Sequence, residues 1–583
     1  MQVCPYGEKC YRKNPIHFSE YSHAHLDAIY AKGSEAGNNG YDIPPKYSTE
    51  LINIQLKLLE KVFPKETQKQ SAGPAPTTSS KQPTTSVKQP TTSASTTSRA
   101  CSSGNSKGSS SSSTNDTSNL AKKQKLTERN IRDYIPVVVE GRMADKLAAA
   151  APYNMFLTAI TDSKPTHKEP LSVTLQEILD ESMGEIESTV QINFMVDIGW
   201  LLGHYYFAGI LDKPLLVLYG DESPELLGIG KFKPQVTAIK VNMPTPFATS
   251  HTKMMLLGYA DGSMRVVIST ANLYEDDWHN RTQGLWISPR LDPLPEGADT
   301  AAGESPTGFK QDLMLYLVEY KLTQLQPWIA RIRKSDFSAI NVFFIGSVPG
   351  GHRESTTRGH PWGHARLGSL LAKHAAPVDD RIPVICQSSS IGSLGANVQT
   401  WIQQDVLNSL RKDSSPLGRL RQLPPFKMIY PSFGNVASSH DGMLGGGCLP
   451  YSKNTNDKQP WLKSYLQQWK SSDRYRSQAM PHIKSYTRFN LEEQCAYWFV
   501  LTSANLSKAA WGSFNKNSNI QPILRIANYE AGVLFLPRFV TGEDTFPLVN
   551  ARDGIPAFPL PYDVPLTPYG PDDTPFLMDY LHT

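Results

Sequence analysis

One short pattern of chemistry-bearing residues occurs twice, far apart and in the same order. The first copy, SHTKMMLLGYADGSMRVVISTANLYEDDW, carries His251, Lys253 and Asn272. The second, MPHIKSYTRFNLEEQCAYWFVLTSANLSKAAW, carries His482, Lys484 and Asn505. Between Lys and Asn, 18 residues intervene in the first copy and 20 in the second. Residues two apart in a strand point to the same side, so each copy sets an imidazole beside an ammonium. Two such faces brought together hold two His, two Lys and two Asn. That set suits phosphoryl transfer: one His attacks phosphorus, the other moves protons, and cations and amides surround the oxygens. A lone His-x-Lys arises by chance in a chain this long; the matched repetition carries the signal.

A second constellation stands at the N-terminus. Cys4, Cys10, His17 and His23 give C-x5-C-x6-H-x5-H, and two thiolates with two imidazoles are the ligand set of a closed structural zinc site. A ββα DNA-reading finger needs about a dozen residues between its second Cys and first His, so this is a different, more compact finger. A unit so small folds around its metal.

The elements that must position these groups are legible as apolar runs. PLLVLYG, MRVVIST, INVFFIGS, IPVICQ, FKMIYPS, YWFVLTS and GVLFLP read as buried strands. SVTLQEILDESM, HARLGSLLAKHAA and VQTWIQQDVLNSLRK read as helices between them, so the expected class is α/β with mixed sheets. Residues 47–65 place Leu51, Ile54, Leu56, Leu58, Leu59 and Val62 at helical spacing, a short helix that packs on the finger or binds a partner. Residues 66–126 lack any aromatic side chain, repeat KQPTTS and contain a serine run at 109–113; such composition buries too little apolar surface to order. Lys122, Lys123 and Lys125 at its end read either as a nuclear import signal or as solvated charge. The expected organisation is finger 1–30, helix 31–65, linker 66–126, and two lobes at 127–338 and 339–583, each with one His-x-Lys.

Composition bounds the rest. The chain has 583 residues, 39% hydrophobic, with 25 Tyr, 21 Phe and 10 Trp, enough for several cores. A net charge of +4 does not by itself point to nucleic acid. Six scattered Cys fit a reducing compartment rather than a disulfide framework. No apolar run has the length of a membrane span, and MQVCPYGEKC lacks a signal-peptide core.

The doubled His-x-Lys…Asn resembles the phospholipase D superfamily. Its usual Asp, five residues after the Lys, is replaced by Gly258 and Phe489, the mark of the tyrosyl-DNA phosphodiesterase branch. PFATSHTKMMLL, GESPTGFKQDL, SSSIGSLG, AMPHIKSY, LTSANLSKAAWG and YEAGVLFLP are similar to that branch too. The resemblance runs from about residue 132 to the C-terminus. CPYGEKCYRKNPIH resembles the poly(ADP-ribose)-binding zinc finger, with Tyr6, Tyr11 and Arg12 in that family's ligand-contacting positions. Tyrosine faces suit adenine and arginine suits pyrophosphate; a purely structural finger is the alternative.

What the resemblance implies is specific: two similar phospholipase D-like α-β-α lobes with the active site at their interface, and hydrolysis of a 3′-phosphotyrosyl bond between DNA and a trapped topoisomerase I peptide. His251 would be the nucleophile, His482 the acid and then the base, and Lys253, Lys484, Asn272 and Asn505 would hold the phosphate oxygens. Glu530, in NYEAGV, matches the carboxylate that orients a catalytic His; a surface or capping carboxylate is the other reading. Phe194 and Phe247 would stack on bases, and Ser389 and Ser390 would contact phosphate, unless they are core or turn residues. Catalysis would need no metal, zinc belonging to the finger alone. Partners would be single-stranded and duplex DNA 3′ ends carrying a peptide, and poly(ADP-ribose) or proteins bearing it, with no membrane. The expected state is a monomer in the nucleus, cytoplasm and mitochondria staying open. A phospholipase D-like lipid hydrolase or nuclease, or a non-catalytic poly(ADP-ribose) adaptor, are the rivals. Loss of both motif Asp residues and the lack of membrane-anchoring features argue against the lipid hydrolase, and complete His/Lys/Asn sets argue against the adaptor.

Overall fold

Central strands that carry apolar residues at every position do so because both their faces are covered. In the computed structural model of the protein, Leu215–Tyr219 and Cys495–Thr502 are buried along their whole length. The structure describes residues 2–4, 7–10, 18, 21–32, 41–47, 49–62, 131, 134–299, 301–354, 359, 361–416, 422–515, 522–552 and 554–582. Tyr6, Tyr11, Arg12, His17 and residues 66–126, with Lys122, Lys123 and Lys125, lie outside them.

The N-terminal unit pairs Gln2–Val3 with Tyr21–Ser22 and continues into α1 (Ala24–Lys32) and α2 (Thr49–Val62). Ile52, Leu56 and Leu59 of α2 share a small core with Phe18, Leu26 and Ile29. The amide of Gln55 donates to the Cys10 carbonyl at 2.8 Å. Lys46 and the Tyr47 hydroxyl meet Glu8 at 3.1 and 2.7 Å. The helix thus lies on the finger.

The first lobe contributes β1 (Met155–Thr158), β2 (Ser172–Val173), β3 (Ile186–Asn193), β4 (Leu215–Tyr219), β5 (Val236–Lys240), β6 (Met254–Tyr259), β7 (Met264–Ser269), β8 (Arg281–Thr282) and β9 (Gly284–Ile287). Its sheet runs β2-β1-β9-β7-β6-β3-β4-β5. The second lobe contributes β10 (Phe343–Ser347), β11 (Val384–Gln387), β12 (Phe426–Ile429), β13 (Leu466–Gln467), β14 (Met480–Pro481), β15 (Ser485–Asn490), β16 (Cys495–Thr502) and β17 (Glu530–Phe535). Its sheet runs β10-β17-β16-β15-β11-β12-β13. The two orders superpose: three parallel strands (β3-β4-β5 and β11-β12-β13) beside three antiparallel ones (β6-β7-β9 and β15-β16-β17). The sequence repeat is therefore a repeat of topology.

Strand periodicity separates two cores. Met254 and Leu256 of β6 enter the large core shared with the second sheet, whereas Met255 and Leu257 face an outer core with Trp200 and Leu201 of α3 (Ile198–Phe207). Helices Phe309–Glu319 and Gln326–Arg333 belong to the shared core through Phe309, Leu313, Tyr316 and Ile329. The run SVTLQEILDESM departs from the expected helix. Only Leu175–Ile178 is α-helical, because Ser172–Val173 pairs with β1 and Asp180 caps a separate short turn. VQTWIQQDVLNSLRK is helical, with wide π-type turns over Gln399–Leu407. Among the described residues, no helix is long and apolar enough to cross a membrane.

Candidate active site

Each His-x-Lys sits at the mouth of its strand, just before β6 or β15, and each mouth is stitched to the opposite lobe. The amide of His251 donates to the Tyr529 carbonyl at 3.0 Å, and that of His482 to the Thr282 carbonyl at 2.9 Å. β8 pairs with β14 across the same boundary. Alternation puts Thr252 on the far side from His251 and Lys253, where its hydroxyl lies 2.9 Å from that of Tyr320. Ile483 likewise turns away from His482 and Lys484 and packs against Gly284. A Cβ at Gly284 would come within 2.6 Å of Ile483, so the close approach of the two lobes requires glycine there.

The histidines are oriented crosswise. His251 Nδ1 lies 2.9 Å from Glu530 Oε2 on β17 of the other lobe. Glu530 also accepts from the Ser503 hydroxyl at 2.6 Å and the Asn528 amide at 3.1 Å. His482 Nδ1 lies 3.1 Å from Gln283 Oε1 and 3.2 Å from Asp277 Oδ2, both of the first lobe. Gln283 is the first-lobe counterpart of Glu530. Thr270 donates to Gln283 at 2.9 Å as Ser503 donates to Glu530, and the next backbone amides, Gly284 and Ala531, return to those hydroxyls at 2.9 and 3.0 Å. With Nδ1 engaged in each ring, Nε2 is the nitrogen left for chemistry.

The remaining members close a cradle. Lys253 and Lys484 each donate to the carbonyl of their own histidine, Lys253 at 3.0 Å. The Asn505 side-chain oxygen accepts from the Ser388 hydroxyl at 3.0 Å, the Ser389 amide and hydroxyl at 3.2 Å, and the Ser390 amide at 3.0 Å. The Asn272 oxygen faces the Met195 amide at 3.4 Å. With the oxygens so engaged, the amide nitrogens are the donors left to the two carboxamides.

Burial dominates the electrostatics. It brings Lys253 down to about 7, with Lys484 adding repulsion, and Lys484 down to about 8. It depresses His482 to about 4 against the pull of Asp277, and lowers His251 against that of Glu530. For Asp277 and Glu530 burial acts upward, but the facing His and Lys charges and their hydrogen bonds outweigh it, and both stay low. Burial and the repulsion of Lys484 on Lys253 make this pair of lysines a place that an anion would stabilise.

The structure brings His251, Lys253, Asn272, His482, Lys484, Asn505 and Glu530 together. Phe194 stands at the edge, its ring 5.5 Å from that of His251 and 5.5 Å from Lys253 Nζ. Phe247 is 90% exposed on the loop before the first motif. Ser389 and Ser390 sit against Asn505. Their amides and the Ser389 hydroxyl are spent on Asn505, and the Ser390 hydroxyl donates to the Pro450 carbonyl at 3.2 Å. Asp277, Gln283 and Ser503 were not foreseen. Their one signal is position: Asp277 closes the acidic triplet of NLYEDDW, and Gln283 precedes β9 as Glu530 opens β17.

At the N-terminus, Cys4, Cys10 and His23 bring their ligand atoms within 4.8 Å of one another, all three buried. Thiolate, thiolate and imidazole at that separation fit a tetrahedral zinc. It is the only such donor group among the described residues.

Fold and site together define a two-lobed phosphoryl-transfer enzyme whose single centre is assembled from two half-sites. A family model for tyrosyl-DNA phosphodiesterases matches residues 154–570, and a PBZ-domain model matches residues 1–26. The chain belongs to the tyrosyl-DNA phosphodiesterase family. It is 80% identical to tyrosyl-DNA phosphodiesterase 1 of Drosophila melanogaster over 583 residues, all of both chains. It is 35% identical to a probable tyrosyl-DNA phosphodiesterase of Caenorhabditis elegans, over 69% of this chain and 85% of that one. The crystal structure of the yeast tyrosyl-DNA phosphodiesterase shares its fold, with a TM-score of 0.54 at 21% identity, over 73% of this chain and 99% of that one.

Proposed function

We propose that this chain is a DNA-repair phosphodiesterase that frees DNA 3′ ends from a trapped topoisomerase I peptide, and from other 3′ adducts, leaving a 3′-phosphate. The observation that carries the reading is the crosswise pairing of two histidines with acceptors of the opposite lobe around one lysine–asparagine cradle. The substrate rests on family membership.

The lone pair of His251 Nε2 attacks phosphorus, and the bond to the tyrosine oxygen breaks. That oxygen takes its electron pair and a proton from His482 Nε2, which is protonated when the bound phosphodiester anion offsets the two lysines that oppose its charge. The product is a phosphohistidine joined to the DNA 3′ end. His482, now neutral, takes a proton from water as the water attacks; the P–N bond breaks and its pair returns to His251. Burial keeps His251 unprotonated near neutral pH, as a nucleophile must be. Lys253, Lys484 and the amides of Asn272 and Asn505 hold the non-bridging oxygens, so the charge is met by side chains rather than by a metal. Phe194 and exposed Phe247 offer faces for stacking on bases. Release of tyrosyl peptide from a single-stranded oligonucleotide tests the reading. No release above the uncatalysed rate would remove it.

The finger is read as the recruiting module, holding zinc through Cys4, Cys10, His23 and His17 and binding poly(ADP-ribose) through Tyr6, Tyr11 and Arg12 at broken DNA in the nucleus. Chelation is expected to unfold the finger, seen as loss of its bound zinc and of its circular-dichroism signal, while turnover persists. Turnover abolished by EDTA and restored by Mg²⁺ would defeat the metal-free mechanism. Changing both Tyr11 and Arg12 to Ala should weaken polymer binding at least about tenfold with turnover of short oligonucleotides retained. Undiminished polymer retention would assign the finger a structural role.

A further inference from the structure

Asp277 is fully buried, yet its carboxylate is poorly satisfied. Oδ2 accepts the Asn272 backbone amide at 2.6 Å and lies 3.2 Å from His482 Nδ1, while Oδ1 has no hydrogen-bond donor. Burying a carboxylate is costly unless a charge answers it. The bland account is that Asp277 closes the turn after Asn272. The second half-site shows that this turn does not need a carboxylate. There the residue five after Asn505 is Ala510, followed by Trp511 as Asp277 is followed by Trp278. Both turns lead into a short helix, Glu275–His279 and Lys508–Trp511, and both make the same parallel bridge through the residue after the Asn, Leu273 to Val196 and Leu506 to Ile391.

The half-sites differ elsewhere in a compensating way. His251 faces the carboxylate of Glu530, but His482 faces the neutral amide of Gln283 at the equivalent place. Asp277 supplies the charge that Gln283 lacks. Each histidine therefore has one carboxylate from the opposite lobe, delivered from a strand in one case and from a turn in the other.

We propose that Asp277 is a positioning residue for His482. Together with Gln283 it holds the ring with Nδ1 protonated and Nε2 toward the phosphate, and its charge stabilises the imidazolium that gives its proton to the leaving tyrosine. The charges acting on His482 are Asp277, Lys484 and Lys253; the two lysines oppose protonation, so Asp277 is the one that favours the acid form. In the step itself the proton leaves Nε2, the Nδ1 proton stays, and Asp277 remains a carboxylate throughout.

The inference rests on the two-step reading above, and its test distinguishes the two. First-step rates are measured in single turnover for the full chain and its Asp277→Asn variant, on oligonucleotides carrying a 3′-phosphotyrosyl or a 3′-(4-nitrophenyl) phosphodiester. Nitrophenolate leaves with little need of an acid; tyrosinate, whose acid has a pKa of about 10, is the poorer leaving group and gains more from one. Asparagine keeps the acceptor for Asn272 and removes only the charge. The loss is expected to be at least about tenfold larger on the tyrosyl ester than on the nitrophenyl ester. Equal losses on both would overturn the proposal, since a structural defect slows both alike. An inactive unmodified chain on the tyrosyl ester would instead overturn the proposed function. Asp277→Ser reads the same ratio if the asparagine variant is insoluble. Insolubility of both would make Asp277 a structural residue and reject the proposal.

Discussion

His251→Ala is expected to lower turnover of a 3′-phosphotyrosyl oligonucleotide by at least about 10⁴-fold and to form no covalent adduct with DNA. The cradle would survive, because Lys253, Lys484 and both asparagines are held by partners other than the His251 ring. Glu530 would keep the Ser503 and Asn528 donors and so would not be left an unanswered buried carboxylate. Binding should therefore persist while chemistry fails, which shows as a collapse in kcat with KM nearly unchanged. No neighbouring group can replace the nucleophile. His482 Nδ1 is tied to the first lobe, and its Nε2 serves the leaving group. Thermal unfolding of the variant alongside the parent chain separates loss of chemistry from loss of fold. A residual rate within about 10-fold of the parent would mean that water attacks phosphorus directly.

Much of this centre is legible in the sequence because its reactive residues lie close together along the chain. His, Lys and Asn repeat within each motif, and the strand that leads into each Asn, MRVVIS or CAYWFVLT, is a mainly apolar run buried on both faces, whereas Ser485–Asn490 (SYTRFN) carries no such signal. The α2 helix is visible for the same local reason, and among its described side chains Ile52, Leu56 and Leu59, with Gln55, pack on the finger. What could not be read are partnerships across the lobes. His251 meets Glu530 across 279 residues and His482 meets Gln283 across 199. Family likeness points to Glu530; beyond their place in the chain, nothing local marks Gln283 or Asp277. Unequal spacing hides the equivalence. Gln283 comes 11 residues after Asn272 and Glu530 comes 25 after Asn505, and only the superposed strand orders reveal it. For Ser389 and Ser390, a serine- and glycine-rich loop looks the same in sequence whether its amides face a ligand or a carboxamide. Their contact with Asn505, 116 and 115 residues away, is another partnership that no local pattern shows.

The two histidines occupy nearly equivalent positions, so their roles must be separated by what each step demands. His482→Arg is expected to accumulate a covalent protein–DNA species, visible as a shifted band under denaturing conditions. Arginine suits the space electrostatically, since Asp277 would answer its buried charge as it answers the imidazolium. Loss of the proton donor slows the first step only in part. A tyrosyl oxygen with a pKa of about 10 is a tolerable leaving group, and the guanidinium still offers it N–H donors. The second step has no such tolerance. Water must lose a proton as it attacks the phosphohistidine, and a guanidinium with a pKa above about 12 cannot accept one. The intermediate should therefore build up by about 100-fold or more over the parent chain, as expected for removal of a general base. Its nitrogen-linked phosphate should break down in acid and persist in alkali. An adduct trapped with His251→Ala and none with His482→Arg would reverse the assignment. In that case the carboxylate of Glu530 would serve the acid–base histidine, and the Gln283–Asp277 pair would serve the nucleophile.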